Sequence, residues 1–440
     1  MSSDLAAVVM AGGLGTRMKS SVPKHLHPLL GRRVVDWVVD AARDLGADPL
    51  VVVASPGTRD AYEDVTVAVQ HEPRGTGDAV ASARETLDGF RGSVLVLDAA
   101  APMLTADVLS ELVAAHRKGG AAVTILTFEP DRPLPYGRII RGDDGDVRAI
   151  VEEKDATREQ RAVRELNSSI YVFKADALWD AVGRLRADNA QGELYLTDTI
   201  AHIVEKGGRA SAWRCDDALA TLGINNRAEL ALAAAALRDR INEAHMLAGV
   251  TIIDPASTWI DPQVELEPDA VIHPFTVLRG RTKVAAGAEV GPHAVAIDAE
   301  IGERVLVGPF CYLRPGTVLA PDAKAGTFVE IKNSRIGART KVPHLSYIGD
   351  AEIGEDTNVA AGNITVNFPH QEGLPKGRTT IGSNVRTGVQ NAFVAPVEVG
   401  DDAWIAAGSV ITKDVPPGAL AVARAKQENK EGYARRRRND

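Results

Sequence analysis

Hydrophobic residues follow two different patterns along the chain, and the change from one to the other falls near residue 227. Before that point, short apolar runs alternate with stretches of helical length. The runs predict buried strands over residues 6–10, 50–54, 94–97, 122–127 and 169–173, and the longer stretches include predicted helices over 34–45 and 105–118. This alternation is typical of a Rossmann-like α/β domain with a mostly parallel sheet. Because ligands of such sheets bind at the carboxyl ends of the strands, we expect a site there.

Beyond Gly249 an aliphatic residue recurs every six positions, with occasional shifts of phase. Clear parts of the series are Ile260, Leu266, Ile272, Leu278, Val284 and Val290, then Ile301, Val307, Leu313 and Leu319, and later Phe393, Val399, Ile405 and Ile411. A small residue often follows four positions later, as do Ala270, Thr276 and Thr282. Such hexapeptide repeats predict a parallel β-helix, with the aliphatic residue inside and the small residue at a corner.

The two patterns suggest where the domains begin and end. Residues 228–248 predict a helix with Leu230, Ala234 and Leu237 on one stripe, which Gly249 ends. We therefore expect a first domain over 1–227, a linker helix over 228–248, a repeat domain over 249–424 and a basic tail over 425–440.

Composition narrows the class of protein. The 440 residues carry a formal net charge of -9, which argues against a general nucleic-acid binder. The basic run at 435–438 predicts a solvated tail, with an anion contact as the alternative. Cys215 and Cys311 offer neither a disulfide framework nor a metal cluster. No apolar run approaches the roughly 18 residues that cross a bilayer. We expect a cytoplasmic protein without a membrane partner.

The segment AGGLGTRMKSSVPK, residues 11–24, follows the first predicted strand and combines three glycines with three cations. Bare N–H groups and positive charge at the end of a strand favour phosphate binding. Two alternatives fail on spacing, because a P-loop requires Lys after the last Gly and a dinucleotide fingerprint requires GxGxxG. The segment therefore predicts a phosphate site of another kind.

Short motifs then identify a family resemblance. In order, they are AGGLGTR, PK at 23–24, QHEPRGTGDA from Gln70, YGRI from Tyr136, IVEEKDA from Ile150, ELNSSI from Glu165, NAQGELYLTD from Asn189, GINNR from Gly223, LRPGT from Leu313, FVEIKNS from Phe328, HLSYIGDAEIG from His344, NVAAGNITVNF from Asn358 and KGRTTIG from Lys376. Over nearly the whole chain they resemble the bifunctional N-acetylglucosamine-1-phosphate uridyltransferases and glucosamine-1-phosphate acetyltransferases. The resemblance implies an α/β nucleotidyltransferase domain, a left-handed parallel β-helix and the synthesis of UDP-N-acetylglucosamine for peptidoglycan and lipopolysaccharide.

For the β-helix, the resemblance implies acetyl transfer from acetyl-CoA to glucosamine 1-phosphate. It makes His344 the base that takes a proton from the amine, a task that suits an imidazole, and Glu330 a residue that orients it. The family positions for the sugar phosphate are Arg314, Lys332, Tyr347 and Asn358, and those for acetyl-CoA are Ala361, Asn367, Phe368, Val389, Ala407 and Arg424. The family also implies a homotrimer.

For the first domain, the resemblance implies uridylyl transfer from UTP to N-acetylglucosamine 1-phosphate, with Mg²⁺ and release of pyrophosphate. It gives Arg17 and Lys24 a catalytic role at the phosphates. The family positions for UTP and the sugar nucleotide are Met10, Ala11, Gly12, Gly13, Lys24, Gln70, Gly75, Thr76, Gly137, Glu152, Asn167, Thr197 and Asn225.

Several positions depart from the family pattern. Ala100 stands where the metal-binding Asp is expected, which leaves Asn225 as a metal ligand and Asp98 as a possible substitute two residues away on the same predicted strand face. Arg74 and Asp78 replace the usual Leu and His, and the loop over 368–375 is longer than usual.

Three hypotheses stay open at this point. The chain is an enzyme with both activities, an acetyltransferase whose first domain binds nucleotide but transfers it weakly, or a β-helix binding protein without chemistry. On the sequence, Ala100→Asp should raise uridylyl transfer.

Overall fold

The computed structural model describes residues 4–13, 15–131, 134–369 and 373–436, so Leu14 of the glycine-rich segment, part of the loop over 368–375 and the end of the basic tail lie outside them. The chain divides into two compact units, Met1–Leu237 and Arg238–Asp440. None of the described helices combines the length and apolar character that a bilayer crossing requires.

The first unit is an α/β domain. Its strands are β1 (Leu5–Ala11), β2 (Pro28–Leu29), β3 (Arg32–Arg33), β4 (Leu50–Ala54), β5 (Thr66–Val69), β6 (Ser93–Asp98), β7 (Val123–Phe128), β8 (Arg138–Arg141), β9 (Val147–Val151), β10 (Leu166–Lys174) and β11 (Ala210–Arg214). Its α-helices are α1 (Val34–Asp44), α2 (Thr76–Ser82), α3 (Ala106–Gly119), α4 (Arg158–Arg161), α5 (Ala175–Val182) and α6 (Asp198–Glu205). Short 3₁₀ turns cover Thr16–Met18, Lys24–Leu26, Arg59–Ala61 and Leu219–Thr221.

The main sheet has the order β11-β7-β10-β6-β1-β4-β5, and β8 and β9 form a hairpin beside β10. The central strand β1 pairs in parallel with both β4 and β6, while β10 runs antiparallel to its neighbours. Alternate residues of β1 pack on opposite faces of the sheet. Ala7 and Val9 pack with residues of α1 and α3 on one face, and Ala6 and Val8 pack with residues of α2, α5 and α6 on the other. Both faces are covered, which explains the uninterrupted apolar runs and confirms the mostly parallel sheet.

The second unit is a left-handed parallel β-helix with three faces. The first face contains β12 (Thr251–Ile252), β15 (Val271–Ile272), β18 (Glu289–Val290), β21 (Leu306–Val307), β24 (Lys324–Thr327), β27 (Lys341–His344), β32 (Arg386–Thr387), β35 (Trp404–Ile405) and β37 (Leu420–Ala421). The second contains β13 (Trp259–Ile260), β16 (Val277–Arg279), β19 (Val295–Ile297), β22 (Tyr312–Leu313), β25 (Glu330–Lys332), β28 (Tyr347–Gly349), β30 (Ile364–Val366), β33 (Ala392–Val394) and β36 (Val410–Ile411). The third contains β14 (Glu265–Leu266), β17 (Lys283–Val284), β20 (Glu300–Ile301), β23 (Val318–Leu319), β26 (Arg335–Ile336), β29 (Ala351–Ile353), β31 (Thr379–Ile381) and β34 (Val397–Val399).

The repeat residues lie where the six-residue period predicts. Ile272, Leu278 and Val284 are buried in one continuous apolar core, and the small residues Thr276 and Thr282 are buried at corners. One corner carries an exposed stack of rings, Phe275, His293, Phe310 and Phe328, with successive centroids 4.7, 4.8 and 5.2 Å apart. We call this stack the aromatic row.

Helix α7 (Arg227–Leu247) contributes to both units. Ala233 and Leu237 belong to an apolar cluster of the first unit. Farther along, Asn242 is buried and donates to the carbonyls of Pro255 and Thr258, both over 3.0 Å, beside the short turn Pro255–Ser257. The predicted linker helix is thus present, and the division between the units falls inside it. A short helix α8 (Tyr433–Arg436) follows the last coil.

Candidate active sites

The first unit contains a cleft of about 790 Å³ at the carboxyl ends of β1 and β6. Most residues expected to bind UTP line it: Met10, Ala11, Gly12, Gly13, Arg17, Lys24, Gln70, Gly75, Thr76, Glu152 and Asn225. The fold therefore brings together residues from widely separated parts of the chain.

Two glycines allow the segment after β1 to pack closely against its neighbours. A Cβ on Gly12 would lie 2.2 Å from Oε1 of Gln70, and a Cβ on Gly15, whose φ is 63°, would lie 2.5 Å from Cβ of Lys24. At Gly15 the positive φ and the close Lys24 Cβ require glycine, and at Gly12 a side chain would displace the Gln70 amide. The backbone of this segment can thus form the wall of the cleft, as a phosphate-binding loop does.

The two cations expected at the phosphates have polar partners in the cleft. Arg17 Nη2 donates to Oδ1 of Asn225 over 2.8 Å, and Lys24 Nζ lies 4.0 Å from Oδ2 of Asp98. Both cations line the cleft, where they can neutralise a triphosphate.

Asp98 rather than Ala100 contributes to the lining of this cleft. Strand β6 ends at Asp98, and the chain then turns, with the Ala100 N–H donating to Oδ1 of Asp98 over 3.0 Å. The Ala100 side chain is buried in an apolar cluster with Met18, Leu29, Val34, Met103, Ile224, Ala233 and Leu237. The expectation that positions 98 and 100 share a strand face is therefore wrong, because the strand does not extend to position 100.

His25 is a cleft residue that the sequence did not single out. Burial, with Lys24 beside it, lowers the pKa of His25 to about 4, so its ring is neutral at physiological pH. Its Nε2 has no hydrogen-bond partner among the described residues.

The residues expected around the sugar cluster at Glu152. Thr197 Oγ1 donates to Glu152 Oε1 over 3.1 Å, and burial raises the pKa of the Glu152 carboxyl. A Cβ on Gly137 would lie 3.6 Å from both Glu152 Oε1 and the Asn167 Cβ. Asn167 is buried and donates to the Tyr171 hydroxyl over 2.8 Å. Glu152 lines the cleft, and Gly137, Asn167 and Thr197 are not among its lining residues.

On the second face of the β-helix, three of the residues expected at the sugar phosphate lie close together. Arg314 and Lys332 follow one another on adjacent coils, and Tyr347 lies on the next coil. Arg314 Nη1 donates to Glu330 Oε1 over 2.8 Å. Among the described residues, Glu330 has no hydrogen bond with His344, so its partner is Arg314 instead of the histidine it was expected to orient.

Lys376 joins this group and was missed from the sequence. Contact and charge repulsion with the Lys376 ammonium group lower the pKa of Lys332. Lys376 comes from an unusually long coil, since Tyr347 pairs with Ile364, Ile364 with Ala392 and Ala392 with Val410, which gives coils of 17, 28 and 18 residues. Two crowded ammonium groups form a surface that a phosphate dianion would stabilise.

The expected base lies in a column with expected acetyl-CoA residues. Along one corner of the β-helix, backbone N–H groups donate to the carbonyl of the preceding coil, from Gly362 to His344, Gln390 to Ala361 and Gly408 to Val389. His344, Ala361, Val389 and Ala407 therefore stack on successive coils, and we call them the His344 column. His344 is exposed at the end of β27.

The other expected residues surround this column less closely. Asn367 is buried at a corner and donates to Asp350, while Phe368, 72% exposed, lies at the start of the long coil's loop. The backbone of Asn358 forms isolated parallel β-bridges with Lys341 on one coil and Arg386 on the other, on the first face of the β-helix. Arg424 lies exposed after β37. Within the part of the chain that the structure describes, no hydrogen bond or ion pair joins the side chain of Arg424 or Phe368 to the other expected residues.

Comparison with known proteins agrees with both halves. A family model described as the MobA-like NTP transferase domain matches residues 7–194. Relatives named "Bifunctional protein GlmU" include those of Streptomyces avermitilis (49% identical, covering 98% of this chain and 94% of the relative) and Pelobacter propionicus (43% identical, covering 98% of each). That of Mycobacterium bovis is 46% identical, covering 99% of this chain and 93% of the relative.

Proposed function

The chain belongs to the family of bifunctional GlmU proteins, and on that premise we propose how its two units work. The second unit transfers the acetyl group of acetyl-CoA to glucosamine 1-phosphate. The first unit then transfers uridylyl from UTP to the N-acetylglucosamine 1-phosphate so formed and releases pyrophosphate. The product is UDP-N-acetylglucosamine.

The observation that carries the acetyl transfer is that one β-helix holds both the His344 column and a group of cations, Arg314, Lys332 and Lys376. The cations, with Tyr347 and Asn358, bind the phosphate of glucosamine 1-phosphate, and His344 accepts a proton from its amine. The amine nitrogen forms a bond to the thioester carbon, the C–S bond breaks, and the proton passes to the leaving thiolate. Asn367 supports the thioester oxygen, while Ala361, Phe368, Val389, Ala407 and Arg424 contact acetyl-CoA.

In the first unit, we assign the cleft to UTP and the sugar phosphate. Arg17, Lys24 and the backbone of Met10, Ala11, Gly12 and Gly13 face the phosphates. Gln70, Gly75 and Thr76 bind the uracil, and Gly137, Glu152, Asn167 and Thr197 form the sugar pocket. These cations position the sugar phosphate for in-line attack on the α-phosphorus.

The cleft also has donors that suit Mg²⁺. Asp98 Oδ2 lies 3.5 Å from the position of a Cβ on Gly223, and Asn225 Nδ2 contacts the Gly223 carbonyl over 3.5 Å, so both side chains flank Gly223. No described group of three His, Cys, Asp or Glu side chains is suited to a metal. Two oxygen donors fit an ion that takes most ligands from water and phosphate. Mg²⁺ held by Asp98 and Asn225 would neutralise charge on the phosphates.

We further propose a homotrimer in the cytoplasm. The aromatic row is about half exposed and continues to Leu345, the neighbour of His344, so a second copy of the chain would cover apolar surface beside the base. Cys215 and Cys311 are buried free thiols, which suits a reducing compartment. Light scattering of Phe310→Asp tests the assembly; a mass equal to that of the unsubstituted protein counts against this interface.

Two assays on the purified chain test the proposed function. Free thiol should appear from acetyl-CoA with glucosamine 1-phosphate, and pyrophosphate from UTP with N-acetylglucosamine 1-phosphate. As a control, N-acetylglucosamine 1-phosphate should give no thiol, because its amine is already acylated. Absence of either product with its own substrates would contradict the corresponding activity.

A further inference from the structure

The base end of the first unit's cleft contains a buried hydrogen-bonded pair that the family resemblance does not account for. Gln70 directly follows β5, and Asp78 lies in the first turn of α2. They are 4% and 8% exposed. Gln70 Nε2 donates to Asp78 Oδ2 over 2.9 Å and to the Gly75 carbonyl over 3.1 Å.

These two contacts fix which way the Gln70 amide points. A carboxylate and a backbone carbonyl only accept hydrogen bonds, so both must face the NH₂ end of the amide. Both hydrogens of that NH₂ group are then used. The opposite orientation would place the amide oxygen against two other oxygens.

The free end of the amide is consequently an acceptor. Gln70 Oε1 lies next to Gly12, where an added Cβ would be only 2.2 Å from it. Both Gly12 and Gln70 line the cleft. A ligand that meets this oxygen must offer an N–H or O–H donor.

Asp78 is itself held in position. Arg74 Nη2 donates to its Oδ1 over 2.7 Å, so one carboxylate oxygen binds Arg74 and the other binds Gln70. Position 78 is one of those that depart from the family pattern, so the resemblance assigns no role to this carboxylate.

Resting on the proposed uridylyl transfer, we propose that Asp78 is a positioning residue that determines base specificity. By fixing the Gln70 amide, it presents an acceptor to the N3–H of uracil. Cytosine carries a lone pair at N3, which would face the Gln70 oxygen without a hydrogen bond. When the wrong ligand binds, polar atoms of the site stay without a hydrogen bond, and the site therefore discriminates strongly against that ligand.

The first experiment measures kcat/KM for UTP and for CTP in pyrophosphate release. In Asp78→Asn, the amide at position 78 can offer NH₂ to Gln70, so the Gln70 amide can turn and present its own NH₂ to the cleft. We expect the UTP-to-CTP ratio to fall by at least about tenfold, the size of one buried hydrogen bond to a charged group. The exposed Asp88→Asn serves as the matched control and should keep the original ratio.

A second experiment leaves the chain unchanged and measures binding of UTP, CTP and N3-methyl-UTP by calorimetry. The methylated nucleotide lacks the N3–H, so it should bind at least about tenfold more weakly than UTP. Equal binding of UTP and N3-methyl-UTP, or an unchanged ratio in folded Asp78→Asn, would overturn the inference. Loss of the proposed function is distinguished because UTP would then give no pyrophosphate even in the unsubstituted chain.

Discussion

The two units assemble their sites in opposite ways. In the first unit, side chains from β1, β6, α2 and the segment before α7 converge at the ends of a sheet, and each is placed by its own loop. In the second unit, the His344 column is placed by one repeated backbone pattern, coil upon coil. A convergent site depends on where each strand ends, whereas a stacked site depends on the register of the repeat. Substitutions should therefore act locally in the β-helix and through loop placement in the α/β unit.

The largest expected effect isolates one residue of the stacked site. His344→Ala should reduce acetyl transfer by about 10²–10⁴-fold, because it removes the proton acceptor. Thiol release measures the loss, and light scattering should find the assembly unchanged. His273→Ala, which removes a ring that is hydrogen-bonded to the exposed Glu289, is the control and should retain activity. Near-normal acetylation by His344→Ala would refute the assignment.

The second prediction tests how much the convergent site depends on one strand end. Asp98→Asn should lower pyrophosphate release about 10–100-fold and weaken Mn²⁺ binding in the presence of UTP, measured by paramagnetic resonance. Asp107→Asn, an exposed substitution at the start of α3, should change neither.

Ala100→Asp gives the complementary result. It places a carboxylate among Met18, Val34 and Leu237, so unfolding should become about 3 kcal/mol easier, without a gain in uridylyl transfer. Denaturant titration measures the stability. An increase in pyrophosphate release would restore the expectation that position 100 holds the metal.

The third prediction concerns the boundary between the two units. Fragments 228–440 and 249–440 should both acetylate glucosamine 1-phosphate, because each coil of the β-helix is stabilised by the coils next to it. The shorter fragment lacks Asn242 and its two hydrogen bonds, so it should be about 2 kcal/mol less stable. Thermal melting compares them. Equal melting temperatures would contradict stabilisation of the β-helix by the end of α7. Inactivity of both fragments would contradict an acetyltransferase domain that folds independently.

The smallest effect probes the cation group of the stacked site. Because Lys376 lowers the pKa of Lys332, Lys332 loses its proton at a lower pH than an isolated lysine, and affinity for glucosamine 1-phosphate should fall as pH rises through that value. In Lys376→Met this fall should move to higher pH, while KM at neutral pH increases a few-fold. KM measured across alkaline pH tests the shift. Lys413→Met is the exposed control, and an identical pH profile for Lys376→Met would refute the coupling.

The sequence predicts the stacked unit better than the convergent one. A six-residue period determines which residues lie inside the β-helix, and His344 falls in phase with it. Ala361 and Val389 follow after coils of 17 and 28 residues, so their place above His344 could not be derived from the period alone. Five strands of the main sheet, β1, β4, β6, β7 and β10, were predicted to within about three residues because both faces of the sheet are buried, whereas β5, β8, β9 and β11 were not predicted. The end of β6 was predicted to within one residue, but the turn that takes Ala100 off the strand face was not, since the alanines after Asp98 suit a strand or a turn equally. Lys376 and the contact between Asp78 and Gln70 depend on tertiary approach, which leaves no period in the sequence.

The long coil between Ile364 and Ala392 has a consequence for how such a chain can be altered. The N–H of Gly377 donates to the carbonyl of Asn367 over 3.0 Å, so the coil is closed again after its extra residues, and Ile381, Phe393 and Val399 remain in the core. A protein engineer could therefore exchange the excursion after Asn367 as a cassette and keep the scaffold intact. The choice of the sugar phosphate that accepts the acetyl group would then evolve by replacement of this loop. The coils that support the loop would not have to change with it.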